Sequence, residues 1–177
     1  MLGNHGRGLT KALFTRPALA LGRLGGGALT HASDLDLIVI YDVGGVEASD
    51  GARPLAARAY YARLTQALLQ LARNAVQHTQ DGDRIHLASR WVTSGAGQWS
   101  LAFTVADHGP GVPPGHEKRI FERFHRAGGG DPHHPGAGLG LPIVRAIAEG
   151  HGGSVSVAPT PGGGATVHIE LPPAPAW

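Results

Sequence analysis

The chain has 177 residues, a formal net charge of +2 and no cysteine, and 42% of its residues are hydrophobic. These values are ordinary for a globular protein and exclude a disordered chain, a disulfide scaffold and a thiolate metal site. No apolar run approaches the ~20 residues of a membrane helix, and Lys and Arg form no basic stripe, so we expect a cytoplasmic protein with no membrane segment in this sequence and no nucleic-acid partner.

The N-terminal part combines a loose end with one strongly β-like run. Residues 1–16 are glycine-rich, basic and aperiodic, which predicts a loose N-terminus. Leu35–Tyr41 is typical of a strand, and strand periodicity puts Asp34 and Asp36 on one face. Two carboxylates so placed can share divalent metal ions and hold a nucleotide's phosphates. For an isolated Asp-x-Asp, a strand with a merely polar end is the simpler interpretation.

The sequence around these two aspartates favours the interpretation as a metal and phosphate site. GRLGGGALTHASDLDLIVIYD, followed by SDGARPLAARAYYARLTQ, closely resembles the nucleotidyltransferase domain of bacterial glutamine synthetase adenylyltransferase, over about residues 17–66. The resemblance implies a two-metal adenylyl transfer with these metal and phosphate ligands: Asp34 and Asp36, with Gly25, Gly26 and Ser33. The family also needs a third carboxylate on a later strand that this sequence lacks. We therefore expect residues 17–58 to be a partial segment and linker, with a vestigial Mg²⁺ pair and no activity.

A helix is predicted from about Ala59. Its apolar positions follow 4-3-4 spacing and define a buried face, formed by Leu64, Leu68, Leu71 and Ala75. Gln70 and Asn74 are four residues apart and share another face. An Asn inside a helix costs propensity, so it is either exposed and neutral or used, and its amide oxygen is a suitable ligand for Mg²⁺.

Two strands follow, Ile85–Trp91 and Trp99–Val105, joined by a turn as a hairpin. The hairpin delivers Asp107 to a strand end, immediately before HGPG. Asp107 can accept a hydrogen bond from an exocyclic amine, and Gly109 and Gly111 let the chain pass close to a flat ring. The alternative is an ordinary Asp-Gly turn.

The segment IFERFHR, residues 120–126, places Phe121 and Phe124 at helical spacing. The glycine- and proline-rich AGGGDPHHPGAG that follows cannot form a regular element and suits a mobile lid over a ligand. His125, His133 and His134 suggest a metal, but neighbouring histidines in a flexible loop have no fixed geometry, so we expect no site there.

The stretch Gly136–Gly153, GAGLGLPIVRAIAEGHGG, is typical of a glycine loop that opens an amphipathic helix. Such a loop can turn backbone N–H groups toward phosphates, at the positive end of the helix. Pro142 suits the first turn and Gly150 suits the C-terminal end. Two more strands, Ser154–Ala158 and Ala165–Leu171, enclose a PGGG turn, and residues 174–177 are a tail.

Six motifs, taken in chain order, resemble the ATP-binding catalytic domain of sensor histidine kinases. They are RNAVQHT, DHGPG, IFERFHR, GAGLGL, HGG and GGGATVHIELP. That domain shares the Bergerat (GHKL) fold with gyrase, Hsp90 and MutL ATPases. The resemblance covers about residues 63–173, and we place the domain at 59–173. It implies an α/β two-layer sandwich, with a mixed sheet, helices on one face and a flexible ATP lid.

The resemblance also implies ATP and Mg²⁺ as ligands. Asn74 would coordinate the Mg²⁺ that bridges the phosphates, and Asp107 would accept a hydrogen bond from the adenine amino group. The other implied nucleotide-binding residues are Gly109 and Gly111 beneath the ring, Phe121 and Phe124 at the near end of the lid, Gly136, Gly138, Leu139 and Gly140 at the phosphates, and Thr166 near the adenine.

Three departures from the family limit the expected activity. Gln77 stands where such kinases often carry a phosphate-binding Lys, which His78 or Arg126 would have to replace. Gln70 occupies the position of the glutamate that activates water in the ATPase relatives, so we expect negligible intrinsic hydrolysis. The sequence also contains no His-Glu/Asp-x-x-(Arg/Asn) phosphoacceptor motif before the domain.

We therefore expect a histidine-kinase-type phosphotransferase that is incomplete in this chain. Its γ-phosphoryl acceptor would be a histidine on another domain, and a response regulator would complete the system. The alternatives are adenylyl transfer from the N-terminal segment, a non-catalytic nucleotide-binding chimera, and a relative of the serine-phosphorylating anti-sigma kinases.

Overall fold

A computed structural model describes residues 18–21, 37–40, 48, 55–93, 99–125 and 138–172. The elements in chain order are β1 (Ala18–Leu21), β2 (Leu37–Ile40), α1 (Ala57–Gln77), β3 (Ile85–Thr93), β4 (Trp99–Asp107), a short 3-10 helix (Arg119–Phe121), α2 (Gly140–Gly150), β5 (Ser154–Pro159) and β6 (Ala165–Leu171).

Helix α1 is the long amphipathic helix that the 4-3-4 spacing predicts. It has 21 residues and begins two residues before the expected start at Ala59. The four predicted core positions are all buried, and Tyr60 and Tyr61 extend the same face at the N-terminal end. Burying a Leu-sized side chain contributes about 1.5–3 kcal/mol, so this face holds the helix against the sheet.

The main sheet has four strands in the order β3-β4-β6-β5. Along β4 the alternate residues Leu101, Phe103 and Val105 are buried, and both helices lie on the same side of the sheet as this face. The predicted α/β two-layer sandwich is thereby confirmed. Every pairing in this described sheet is antiparallel, whereas the resemblance implied a mixed sheet.

The β-like run of the N-terminal part forms a separate pair. Strand β2 covers four of the seven predicted residues and pairs antiparallel with β1, with Ala18 opposite Ile40. It does not join the four described strands of the main sheet.

The predicted loose N-terminus, residues 1–16, and the tail, residues 174–177, lie outside the described residues. In the described part of the chain, no helix is long and apolar enough to cross a bilayer.

The segment after β4 departs from the predicted helical spacing. The chain leaves the 3-10 helix at Glu122, which is extended (φ −84°, ψ 145°), so Phe121 and Phe124 do not share a helix face. Phe121 is buried, but Phe124 is 74% exposed and has a left-handed backbone, with φ of 63°. The cause is a contact between two separate segments of the chain, because the Phe124 N–H donates to the Gly138 carbonyl oxygen at 3.0 Å.

Helix α2 ends at Gly150 as predicted, and the next residue ties it to α1. The buried His151 ring lies with Nδ1 2.7 Å from the Ile147 carbonyl oxygen and Nε2 3.1 Å from the Tyr60 carbonyl oxygen. Its ring also packs on Tyr60, with the ring centroids 4.1 Å apart. His151 therefore joins the C-terminal end of α2 to the N-terminal end of α1.

Candidate functional site

One face of α1 runs along the whole candidate site. Gln70, Asn74 and His78 are spaced by four residues, so they follow one another on the same side of the chain over about 12 Å. A Cβ on Gly140, the first residue of α2, would lie 2.6 Å from the Gln70 amide nitrogen. At the other end, a Cβ on Gly109 would overlap the carbonyl oxygen of His78. The face thus connects the start of α2 with the loop after β4.

Asp107 occupies the β4 end of the site. Its side chain is buried, and Oδ1 accepts hydrogen bonds from the N–H groups of Gly109 (3.0 Å) and Ala165 (3.1 Å). Among the described residues no hydrogen bond is made to Oδ2. One carboxylate oxygen therefore holds two loops together, and the other remains for a ligand donor.

Gly164 completes this end, and sequence reasoning did not single it out as a site residue. A Cβ there would overlap the Asp107 carbonyl oxygen, and its φ of 104° is one that other residues rarely adopt. Only glycine therefore lets the β5–β6 turn reach the carboxylate. The available signal is the glycine run directly before β6, which by itself indicates no more than a turn.

Gly111 and Thr166 lie at the same end of the site as Asp107. Gly111 lies against the Gly164 carbonyl oxygen, since a Cβ on it would be 3.0 Å away. Thr166 pairs with Ala106 across β4 and β6, one residue before Asp107, and its hydroxyl is 2.8 Å from that of Thr160. Asp107, Gly109, Gly111 and Thr166 therefore form one cluster.

A second cluster forms at the start of α2. Leu139 is the N-cap residue, and its carbonyl oxygen accepts from the Ile143 N–H. The N–H groups of Gly140 and Leu141 belong to the first turn, where an α-helix supplies no carbonyl partner, and Pro142 has no N–H. These two donors and the positive end of the helix dipole form an environment that favours anions.

Phe124 contacts the chain just before α2. Gly138, immediately before the N-cap, accepts from Phe124 and packs against its backbone, because a Cβ on Gly138 would be 3.0 Å from Phe124 Cα. Phe124 is therefore placed at the near end of the predicted lid segment. Its position there results from a backbone contact, since its side chain is mostly exposed.

Asn74 lies between the two clusters. It is half-buried, and its side-chain amide makes no hydrogen bond to another described residue. The described residues also contain no group of three His, Cys, Asp or Glu side chains that could hold a metal. A lone amide oxygen fits Mg²⁺, which takes few protein ligands and completes its shell with substrate phosphates and water.

A cavity of about 370 Å³ adjoins the Asp107 end of the site. It lies at the C-terminal end of α1 and is lined by Gln77, His78, Thr79, Gln80, Asp83, Gly109 and Pro110. Asn74 and Asp107 do not line it, so this cavity lies beyond Gly109 and not between the two clusters. No cationic Lys or Arg is among its lining residues.

Several predicted site residues cannot be placed. Those that lie outside the described residues are Gly25, Gly26, Ser33, Asp34, Asp36, Arg126 and Gly136.

Outside the two clusters, the carboxylate of Glu117 accepts hydrogen bonds from its own backbone N–H and from that of Gly115. These two bonds hold the pKa of Glu117 below its ordinary value.

Two family models match the chain. The model described as histidine kinase-, DNA gyrase B- and HSP90-like ATPase matches residues 59–175. The model described as glutamate-ammonia ligase adenylyltransferase matches residues 11–83. The two matches overlap on residues 59–83, which contain most of α1, so one helix fits the end of one family and the start of the other.

Curated relatives agree with the first model. The chain is 41% identical over 108 residues to the sensor histidine kinase TmoS of Ectopseudomonas mendocina, covering 59% of this chain and 10% of that protein. It is 36% identical over 110 residues to the adaptive-response sensory kinase SasA of Prochlorococcus marinus, covering 62% of this chain and 29% of that protein. The match thus spans less than a third of either relative.

Solved structures show the same fold. The mycobacterial sensor histidine kinase MprB is 31% identical with a TM-score of 0.54, over 65% of this chain and 73% of that chain. The nucleotide-free catalytic domain of histidine kinase ThkA is 27% identical with a TM-score of 0.53, over 64% of this chain and 69% of that chain.

Proposed function

The chain belongs to the histidine kinase-, DNA gyrase B- and HSP90-like ATPase family, and from this membership we propose that residues 59–173 bind Mg-ATP for phosphoryl transfer to a histidine on a separate domain. The main support is the arrangement along α1, where the buried Asp107 lies at one end, the start of α2 at the other and Asn74 between them.

Different residues bind the adenine, the phosphates and the cation. Asp107 accepts a hydrogen bond from the adenine amino group through Oδ2, because Oδ1 is already engaged by two backbone donors. The first-turn N–H groups of α2 bind phosphate oxygens. Asn74 would hold the cation, and Mg²⁺ would supply positive charge that screens the phosphates during transfer.

The amide of Gln70 lies against the start of α2, at the phosphate end of this arrangement. A side-chain amide cannot accept a proton from water, so it does not provide a general base. The γ-phosphoryl group is therefore kept for an incoming imidazole nitrogen rather than lost to hydrolysis. This matches the role of a kinase better than that of an ATPase.

The direct test mixes the chain with a purified phosphoacceptor histidine domain and ATP labelled at the γ-phosphate. We expect acid-labile label on the acceptor domain and none on this chain alone. At ATP concentrations below saturation, Asp107→Asn should slow the transfer by about 10- to 150-fold, whereas an exposed-carboxylate control, Asp81→Asn, should leave it intact. Labelling of this chain without an acceptor, or transfer by Asp107→Asn at the wild-type rate, would contradict the proposal.

Adenylyl transfer is the second candidate, because the adenylyltransferase model matches residues 11–83. Release of pyrophosphate from ATP that disappears in Asp34→Ala would support it. We expect no such release, since the sequence lacks the third carboxylate that the resemblance requires.

A further inference from the structure

Two histidine rings meet after β4, on either side of the 3-10 helix Arg119–Phe121. His116 Nδ1 lies 3.1 Å from His125 Nε2, with the ring centroids 5.2 Å apart and the ring planes inclined by 40°. Both side chains are half-buried. Without a cation, this contact requires one ring nitrogen to donate a proton to the other.

The separation of the two nitrogens also suits a shared metal ion. Zn–N bonds of about 2.0–2.1 Å at a tetrahedral angle put two ligand nitrogens about 3.3 Å apart. A shift of a few tenths of an ångström would therefore convert the hydrogen bond into a chelate. Imidazole favours Zn²⁺, Cu²⁺ or Ni²⁺ over Mg²⁺, which prefers oxygen ligands. A cation at this pair is thus chemically distinct from one held at Asn74.

Backbone hydrogen bonds fix the main chain that carries both rings. The His116 N–H donates to Pro113, and its carbonyl oxygen accepts from Ile120, at 3.1 and 3.0 Å. The His125 N–H donates to Glu122 at 3.3 Å. Between the two histidines the chain is anchored by the buried Ile120 and Phe121. The ligand pair therefore closes a loop of fixed shape rather than ordering a flexible one.

We propose that His116 and His125 form a binding site for a divalent transition-metal ion, with Zn²⁺ as the expected occupant. The described residues supply no third side chain of the usual ligand types, so water completes the shell and the site is exchangeable rather than structural. An ion there would tie residue 125 to the turn at 116. Because residue 124 is bonded to Gly138, it would also hold the backbone next to the phosphate end of the groove.

The test titrates Zn²⁺ by calorimetry into metal-free protein without nucleotide, so that its result does not depend on the proposed function. We expect one saturable site whose affinity falls at least about tenfold in His116→Gln and in His125→Gln. With Cu²⁺ as the probe, electron paramagnetic resonance should show two coordinated imidazole nitrogens in the wild type and fewer in each variant. Circular dichroism of the metal-free variants checks that each remains folded.

The chain offers a matched control, a second pair of neighbouring rings. The His86 and His108 ring centroids are 6.1 Å apart, but His108 Nδ1 donates to the Arg84 carbonyl oxygen, so this pair is not arranged as a chelate. The double variant His86→Gln/His108→Gln should bind Zn²⁺ like the wild type.

Three outcomes would overturn the proposal. They are the absence of saturable Zn²⁺ binding, equal affinity in the wild type and both single variants, and a site that is lost only when His133 and His134 are replaced. In support, saturating Zn²⁺ should raise the melting temperature of the wild type by several degrees and leave that of His125→Gln unchanged.

Discussion

Asp107 offers the sharpest separation between folding and nucleotide binding, because its two carboxylate oxygens have different partners. Oδ1 accepts from the N–H groups of Gly109 and Ala165 inside the protein, and Oδ2 is assigned to the adenine amino group. Asparagine can still present an oxygen to both backbone donors but must then turn its NH₂ group toward the ligand. Alanine loses both functions.

The expected magnitudes follow from the hydrogen bonds. In Asp107→Asn, two charge-assisted bonds become neutral, which should lower the free energy of unfolding by about 2 kcal/mol. Nucleotide affinity should fall by about 10- to 150-fold, since one charge-assisted bond is lost at the adenine. In Asp107→Ala, two half-buried N–H groups lose their acceptor, at about 1–3 kcal/mol each, so the free energy of unfolding should fall by about 2–6 kcal/mol.

Urea denaturation measures the first quantity, and calorimetric titration of ADP without metal measures the second. Asp81→Asn, at an exposed turn position, is the control that changes the same charge elsewhere. If Asp107→Asn binds ADP as tightly as the wild type, Oδ2 does not bind the adenine. If Asp107→Ala is as stable as Asp107→Asn, the bonds to Oδ1 do not stabilise the fold.

Three further predictions concern other residues of the loop after β4, of α1 and of the end of α2. Gly109→Ala should be destabilised by about 1–3 kcal/mol and lose nucleotide binding, because the added methyl overlaps the His78 carbonyl oxygen; denaturation and titration together measure this, and wild-type behaviour would contradict it. Gln70→Glu should increase phosphate release from ATP about a hundredfold or more, because a carboxylate can act as a general base; an unchanged rate would show that residue 70 does not face the water. His151→Ala should lower stability by about 2–4 kcal/mol, since the buried ring packs on Tyr60 and lies within hydrogen-bond distance of a carbonyl oxygen in each helix. Arg145→Ala, which removes an exposed ion pair on α2, should melt like the wild type, and equal melting of both variants would contradict the proposed tie.

The regular elements could be predicted because their signals are local. The 4-3-4 spacing in α1 reports a single buried face, and the structure confirms it. Along β4 the alternate residues Leu101, Phe103 and Val105 are buried, but Ala102 on the other face is buried as well and Trp99 at the start of the strand is exposed. Gly150 likewise ends α2, as its position after the last apolar repeat indicates.

The departures come from contacts between distant segments. Phe124 is at helical spacing from Phe121, but a hydrogen bond to Gly138, fourteen residues later, draws it into a left-handed conformation. Gly164 reaches Asp107 across 57 residues of sequence, and no local pattern encodes that approach. The meeting of His116 and His125 is of the same kind, since their nine-residue separation matches no regular spacing.

If Mg-ATP lies along α1, between Gly109 and Gly140, a fluorescent ATP analogue should bind the chain saturably. Titration with and without Mg²⁺ should show that Mg²⁺ strengthens this binding in the wild type and no longer does so in Asn74→Ala. Absence of binding, or binding in which Mg²⁺ has the same effect on the wild type and Asn74→Ala, would contradict this placement.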